Sequence, residues 1–351
     1  MYVGAGTSIL SPMVFRGQTL GKYRILEPLG SGGFGTVYLA EDTWIDKRVA
    51  LKVPHRQGLD FGELLREPRL LASLNHPNIV TVITAEKQDN VFFIVMEYVP
   101  GETLENIIGA KGGLDLATSL DYTCQICNAV EHAHKQGVLH RDLRPANVFV
   151  NEKGLLKVGD FGTSRILEVA AHGTTVIGSP PYMAPEQFEG RAVFASDLYS
   201  LGVTMYQMLT GGLPYDTPAP SDLDRLRRGE LAAPLRSRNA SVPQIIETIV
   251  MRAMAPDVAS RYQRAEDLLN DLLNARRALP RRTPADIPSV SAPGSAVASR
   301  PSPPPRAPAA RTPAIQRSPR TRELSAGRCC LQCRKPLPAK ATRCPFCGEK
   351  Q

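Results

Sequence analysis

The stretch HRDLRPANVFVNEKGLLKVGDFG (His140–Gly162) decides the fold. It is entered from a long helical pattern, ATSLDYTCQICNAVEHAHKQG (Ala117–Gly137). Its polar head, HRDLRPAN, gives way to the strand-like LLKVG (Leu155–Gly159) and then to DFG (Asp160–Gly162). SPPYMAPE (Ser179–Glu186) begins 17 residues after Gly162. Beyond it the patterns are helical, as in SDLYSLGVTMYQMLTG (Ser196–Gly211) and AEDLLNDLLNARRAL (Ala265–Leu279), which ends at Pro280. Ahead of it, from Tyr23 to Tyr98, the chain reads as β-type segments: YRILEPL, TVYLAED, RVALKVP, NIVTVITAE and VFFIVMEY. One helical pattern, ELLREPRLLASLN (Glu63–Asn75), interrupts them. Strands first and helices later predict an α+β fold of two lobes, sheet-rich then helical.

Outward toward the N-terminus lies LGSGGFGTV: Leu29, Gly30, Ser31, Gly32, Gly33, Phe34, Gly35, Thr36 and Val37. Gly30, Gly32 and Gly35 let backbone approach phosphates and take φ/ψ values closed to other residues. A dinucleotide fold would place a helix directly after such a loop. Here Val37-Tyr38-Leu39-Ala40 reads as a strand, which favours a flap over a nucleotide. Lys52, in VALKV, comes 17 residues after Gly35, and a strand lysine there can pair with α- and β-phosphates. Glu67, in LREPRLL, can hold Lys52 as an ion pair.

In this order the Gly-rich loop, the VALK lysine, HRDLRPAN, DFG and APE resemble the protein-kinase signature set, in its eukaryotic-like bacterial serine/threonine form. The resemblance covers about Tyr23 to Leu273 and implies a bilobal protein-kinase fold that uses ATP with Mg²⁺ or Mn²⁺. It implies Asp142 as acceptor of the substrate hydroxyl proton, and Asn147 and Asp160 as metal ligands. Lys52, held by Glu67, would orient the phosphates. Val37, Ala50 and Phe149 would enclose the adenine, and Met96 would stand as gatekeeper before a hinge from Glu97 to Val99. Asp197 resembles the residue that anchors the catalytic loop, and Glu186 with Arg261 resembles the buried ion pair of the helical lobe.

Three positions depart from the pattern. Arg144 stands where lysine is usual, which keeps a positive charge beside the transferred phosphate in a different shape. Ser179 replaces a threonine and keeps the hydroxyl. Pro68 follows Glu67, so that helix either begins there or kinks. Pro145 matches the serine/threonine form of the loop. Arg141, before the aspartate, resembles an arginine that binds a phosphate on the activation segment. Thr174 and Thr175 are the predicted autophosphorylation sites, with protein substrates and self-association in trans implied. Thr283, Ser302, Thr312 and Ser318, each before a proline, are further candidates.

The net charge of +8 is uneven. Residues 329–351 carry five Lys/Arg against one Glu, and 281–328 carry nine Arg against two acidic residues. The remainder, with 28 basic and 31 acidic residues, is slightly acidic, which argues against a nucleic-acid-binding main domain. Residues 280–327 are dense in Pro, Ser, Ala and Arg and predict a disordered linker. In 328–351, Cys330 and Cys333, then Cys344 and Cys347, form two CxxC pairs suited to one tetrahedral Zn²⁺ in a short zinc-ribbon-like module. Cys329 is a rival to Cys330, and nucleic acid remains a partner only for this basic tail. Cys124 and Cys127 read as small buried residues of a helix. Residues 1–22 read as an unstructured lead-in before a domain spanning 23–279. With no 18-residue apolar run and no basic start to a leader, the expected location is cytoplasmic. Rival readings are a pseudokinase scaffold and a zinc-ribbon adaptor.

Overall fold

The structure is a computed structural model that describes residues 14–32, 35–55, 71–161, 179–279, 343, 344 and 350. Gly33, Phe34, Glu67, Pro68, Thr174, Thr175, Cys330, Cys333 and Cys347 lie outside the described residues, as does the linker.

Strands β1 (Thr19–Leu20), β2 (Tyr23–Gly32), β3 (Gly35–Asp42), β4 (Lys47–Pro54), β5 (Val82–Gln88) and β6 (Val91–Glu97) form an antiparallel sheet in the order β1-β2-β3-β4-β6-β5. Alternate residues of a strand face opposite sides. In β4, Val49, Leu51 and Val53 join Tyr23, Ile25, Tyr38, Phe93 and Val95 in one core cluster. That leaves Ala50 and Lys52 on the other side, and it is this face that lines a cleft. The register sets Val37 opposite Lys52 and Ala50 opposite Met96.

The lead-in expectation is corrected for residues 14–22. Strand β1 pairs with β2 through Thr19↔Arg24 and Leu20↔Tyr23. Val14 and Leu20 are buried in the same cluster as Tyr23, so apolar residues too sparse to show a period still close the sheet's edge. The strand expected at NIVTVITAE starts later, at Val82. Asn78 and Val80 instead exchange backbone hydrogen bonds with Val158 (2.8 and 2.9 Å), which ties this segment to the helical lobe.

A second, three-stranded sheet, β7 (Glu102–Thr103), β8 (Val148–Val150) and β9 (Leu156–Val158), lies in the order β7-β8-β9. Helix α1 (Leu104–Lys111) follows β7, and α2 (Leu116–Lys135) follows α1. Asp115 caps α2 by accepting the Thr118 N–H at 3.0 Å, and a run of ten buried side chains from Ser119 to Ala133 packs it into the core. Helix α3 (Phe194–Thr210) ends at Gly211, whose φ is +77°. A Cβ there would meet the Gly112 carbonyl oxygen at 2.3 Å, so only glycine lets the ends of α1 and α3 approach. Shorter α4 (Leu223–Arg227) and α5 (Leu235–Arg238) precede α6 (Gln244–Ala253) and α7 (Ala265–Ala278), which complete the lobe. Among the described residues no helix is long and apolar enough to cross a membrane.

Candidate active site

The cleft between sheet and helices has a volume of about 570 Å³. Its roof is Leu29, Gly30, Ser31, Gly32, Gly35 and Val37, with Ala50 and Lys52 from β4 behind them. Met96, Glu97 and Val99 form its back edge, and Phe149 its floor. Thr36 belongs to the same loop but does not line the cleft; its hydroxyl is 3.1 Å from that of Ser31 across the hairpin. The Glu97 carboxylate also turns away, accepting the Thr81 N–H (2.8 Å) and Lys157 Nζ (2.7 Å), so its backbone is what faces the cleft edge.

The polar end collects residues distant in sequence. Lys52 Nζ lies 2.7 Å from Asp160 Oδ1, although 108 residues separate them. Burial alone would raise the Asp160 carboxyl, but Lys52, with lesser help from His140 and Arg144, holds it below the usual carboxylate range. Asp142 Oδ1 accepts the Ser179 N–H at 3.0 Å, and Oδ2 accepts from Asn147 Nδ2 at 3.2 Å. The same nitrogen donates to the Asp142 carbonyl at 2.8 Å, leaving the Asn147 oxygen as the atom suited to a cation. Arg144 Nε sits 3.6 Å from Asp142 Oδ2.

Asp160 itself has strained backbone, and Asp142 directly follows a strained residue. Arg141 (φ +68°) and Asp160 (φ +58°) occupy the left-handed region, which is unfavourable for side chains with a Cβ. The surroundings over-determine both. Asp197 accepts the backbone N–H of His140 and of Arg141, each at 2.8 Å, and meets His134 Nε2 at 2.8 Å. Gln187 Nε2 donates to the Arg141 carbonyl at 3.0 Å. Burial pushes the Asp197 carboxyl up, yet the His134 contact and the His140 N–H more than reverse this and hold it low. On the other side, His140 Nε2 lies 2.9 Å from the Gly159 carbonyl, and its ring packs on Phe161 with centroids 4.6 Å apart. Beneath, Arg261 makes a bidentate pair with Glu186 at 2.6 and 2.7 Å, with its side chain fully buried.

Of the expected catalytic and nucleotide-binding residues within the described set, all but Thr36 line the cleft; Cys344, expected as a zinc ligand, is not part of its lining. Sequence reasoning missed several others. Glu102, Thr103 and Asn106 extend the rim where β7 enters α1, and Thr103 caps that helix by accepting the Asn106 N–H. The capping pattern in GETLEN was the available signal. Gly159 was also missed: a Cβ there would lie 2.9 Å from the Phe149 ring, so glycine lets the floor close against Asp160. Ala146 and Ser179 line the cleft as well.

The oxygens of Asp160 and Asn147, facing a cleft that also holds Lys52, suit a hard divalent cation such as Mg²⁺. Of the segment expected to be zinc-ribbon-like, the structure describes Arg343, Cys344 and Lys350. Arg343 and Lys350 form an isolated antiparallel bridge and Cys344 is buried. Among the described residues no cluster of three or more His, Cys, Asp or Glu side chains is placed to hold a metal.

The family profile of the protein kinase domain matches residues 23–286. The chain is 38% identical over 263 residues to the serine/threonine-protein kinase PrkC of Bacillus subtilis, covering 73% of this chain and 40% of that protein. It is 34% identical over 259 residues to a probable serine/threonine-protein kinase PknB of Lactococcus lactis, covering 72% and 41%. It is 32% identical over 276 residues to PknB of Mycobacterium tuberculosis, covering 75% and 44%. The chain thus spans less than half the length of these relatives.

Proposed function

The chain belongs to the protein kinase domain family, and from that premise we propose that it transfers the γ-phosphoryl group of ATP to serine or threonine hydroxyls of proteins. The observation that carries the reading is the state of Asp142. Its carboxylate is oriented by the Ser179 N–H and Asn147, in the same cleft as the Lys52–Asp160 pair. A pseudokinase would be expected to lack one of these groups.

Phosphoryl transfer asks the protein mainly for positioning and charge stabilisation. Lys52 orients the α- and β-phosphates, and Glu67 is assigned to hold it. Asn147 and Asp160 would hold the metal. Mg²⁺, when bound, supplies charge neutralisation at the phosphate oxygens. The glycine loop covers the phosphates with backbone N–H groups, and Val37, Ala50 and Phe149 enclose the base. Asp142 takes the hydroxyl proton as the substrate oxygen bonds to phosphorus and the bond to the ADP oxygen breaks. Arg144 offers positive charge beside the group in transit. Serine/threonine acceptance is supported by Pro145 in the loop and by the names of the relatives. Thr174 and Thr175 are the assigned autophosphorylation sites, reached in trans by a second copy, with Arg141 receiving the phosphate.

Cys330, Cys333, Cys344 and Cys347 are assigned to one Zn²⁺ that staples the tail. The spacing supports it, together with the backbone bridge from Arg343 to Lys350, which brackets the second pair. Purified full-length chain should carry one zinc per chain and lose it to a strong chelator; a metal-free preparation with intact cysteines would refute the assignment.

The test of the transfer is phosphoproteomics of cells making wild type against Asp142→Asn. Substrate phosphorylation should vanish with the variant, and equal phosphorylation by both would overturn the reading.

A further inference from the structure

The guanidinium of Arg144 stands between two carboxylates. Nε lies 3.6 Å from Asp142 Oδ2, and Nη1 lies 3.9 Å from Glu105 Oε1 in the first turn of α1. Nε is buried and has no hydrogen-bond partner, since 3.6 Å is beyond bonding reach. Asp142 and Arg144 line the cleft, whereas Glu105 stands behind its rim with its side chain 49% exposed. Tyr182 reports the same grouping: burial pushes its phenol up to about 12, with Glu105 and Asp142 adding to the rise and Arg144 opposing it.

The geometry depends on arginine. A lysine would offer its three donors from a single nitrogen, whereas the planar fork presents Nη1 to one carboxylate and Nε to the other. The two acids therefore compete for one cation. With no rival, the guanidinium would close onto Asp142 as a hydrogen-bonded ion pair and occupy Oδ2, the oxygen that Asn147 also uses. Glu105 draws it the other way. A buried donor left without an acceptor is rare in folded proteins, and the pull of Glu105 accounts for this one.

We infer that Glu105 is a positioning residue for the phosphoryl transfer proposed above. It acts through Arg144, holding the guanidinium off Asp142 so that Oδ2 stays open to the substrate proton. The inference rests on that transfer reading and adds a residue that neither the kinase motifs nor the cleft lining contains.

The experiment is a double-mutant cycle on the full-length chain. Steady-state rates are measured with a threonine-containing peptide and saturating ATP and Mg²⁺. Glu105→Gln should lower kcat on the order of threefold, as for a partly exposed ion pair, and leave the KM for ATP unchanged. In an Arg144→Met background, which leaves Glu105 no cation to draw, the same change should have no effect. A merely structural Glu105 would lower the thermal midpoint and reduce the rate equally in both backgrounds, which would overturn the inference. So would an unchanged kcat for Glu105→Gln in the Arg144 protein. Asp142→Asn run in parallel separates the levels: full activity there would overturn the transfer reading and this inference together, whereas its loss with no Glu105 coupling would overturn the inference alone.

Discussion

Lys52 Nζ and Asp160 Oδ1 meet at 2.7 Å, joining the central strand of the N-terminal sheet to the segment after β9. Neither residue reaches the other without the cleft. Lys52 faces it because strand alternation sends Leu51 and Val53 to the opposite core. Asp160 faces it because Gly159 lets the chain pass close over Phe149.

Replacing Lys52 with methionine keeps the aliphatic stem and removes the charge. The expected result is a loss of kcat/KM for ATP on the order of a hundredfold or more, from missing electrostatic stabilisation. Circular dichroism should be unchanged. A variant within threefold of wild type would remove Lys52 from the mechanism.

Asp197 holds the backbone of His140 and Arg141 just ahead of Asp142, so Asp197→Ala should damage stability and rate together. The change strands the His140 and Arg141 N–H groups and the His134 ring in a buried site. Each stranded donor costs roughly 1–3 kcal/mol. Urea unfolding should show a loss of at least about 3 kcal/mol, with Arg141 no longer held in its left-handed conformation. An unperturbed midpoint would contradict this anchor role.

The Arg261–Glu186 pair is buried, and its two members should be strongly coupled. Arg261→Met leaves the Glu186 carboxylate uncompensated and should destabilise by about 3–5 kcal/mol. Adding Glu186→Gln should recover part of that loss, and the effect should be insensitive to salt. Additive losses in chemical denaturation would show that the two side chains act separately.

His76 gives the fold a pH dependence on the acid side of neutrality. Burial, with the nearby His132 and the positive charges of Lys157 and Arg343, lowers its pKa to about 4. The rings of His76 and His132 stack with centroids 5.1 Å apart. Between pH 6.5 and 4 the unfolded chain binds a proton that the folded chain refuses. Stability therefore falls with falling pH across that window, by up to about 1.4 kcal/mol per pH unit for one full proton. His76→Asn, which can keep an acceptor for the Asn78 N–H, should flatten this slope. Equal slopes for both proteins from thermal melts at several pH values would exclude His76 as the source.

Much of the site was legible because its chemistry comes in contiguous words. HRDLRPAN holds Asp142, Arg144, Ala146 and Asn147 within one turn and its flanks, and local spacing is what a linear reading sees. Strand alternation around Lys52 and the helical patterns at α2, α3 and α7 follow from periods of 2 and 3.6 residues, so the two-lobed α+β order was readable too. Among the described residues the expected order of strands and helices stands, while their limits moved; the helix expected at Glu63–Asn75 lies mostly outside them. Strand β1 and the burial of Val14 depend on pairing with β2, a long-range partner that leaves no local period.

The sequence by itself determined which groups are present: a glycine flap, a strand lysine, two aspartates, an asparagine, and an arginine where lysine is usual. Tertiary structure alone decided what each group faces. Whether Asp142 is held by Ser179, whether Glu97 turns to Lys157, and whether Arg144 looks to Asp142 or to Glu105 all depend on atoms brought together from distant segments. Hydrogen bonds and ion pairs act over a few ångströms in space, and separation along the chain carries no record of that distance.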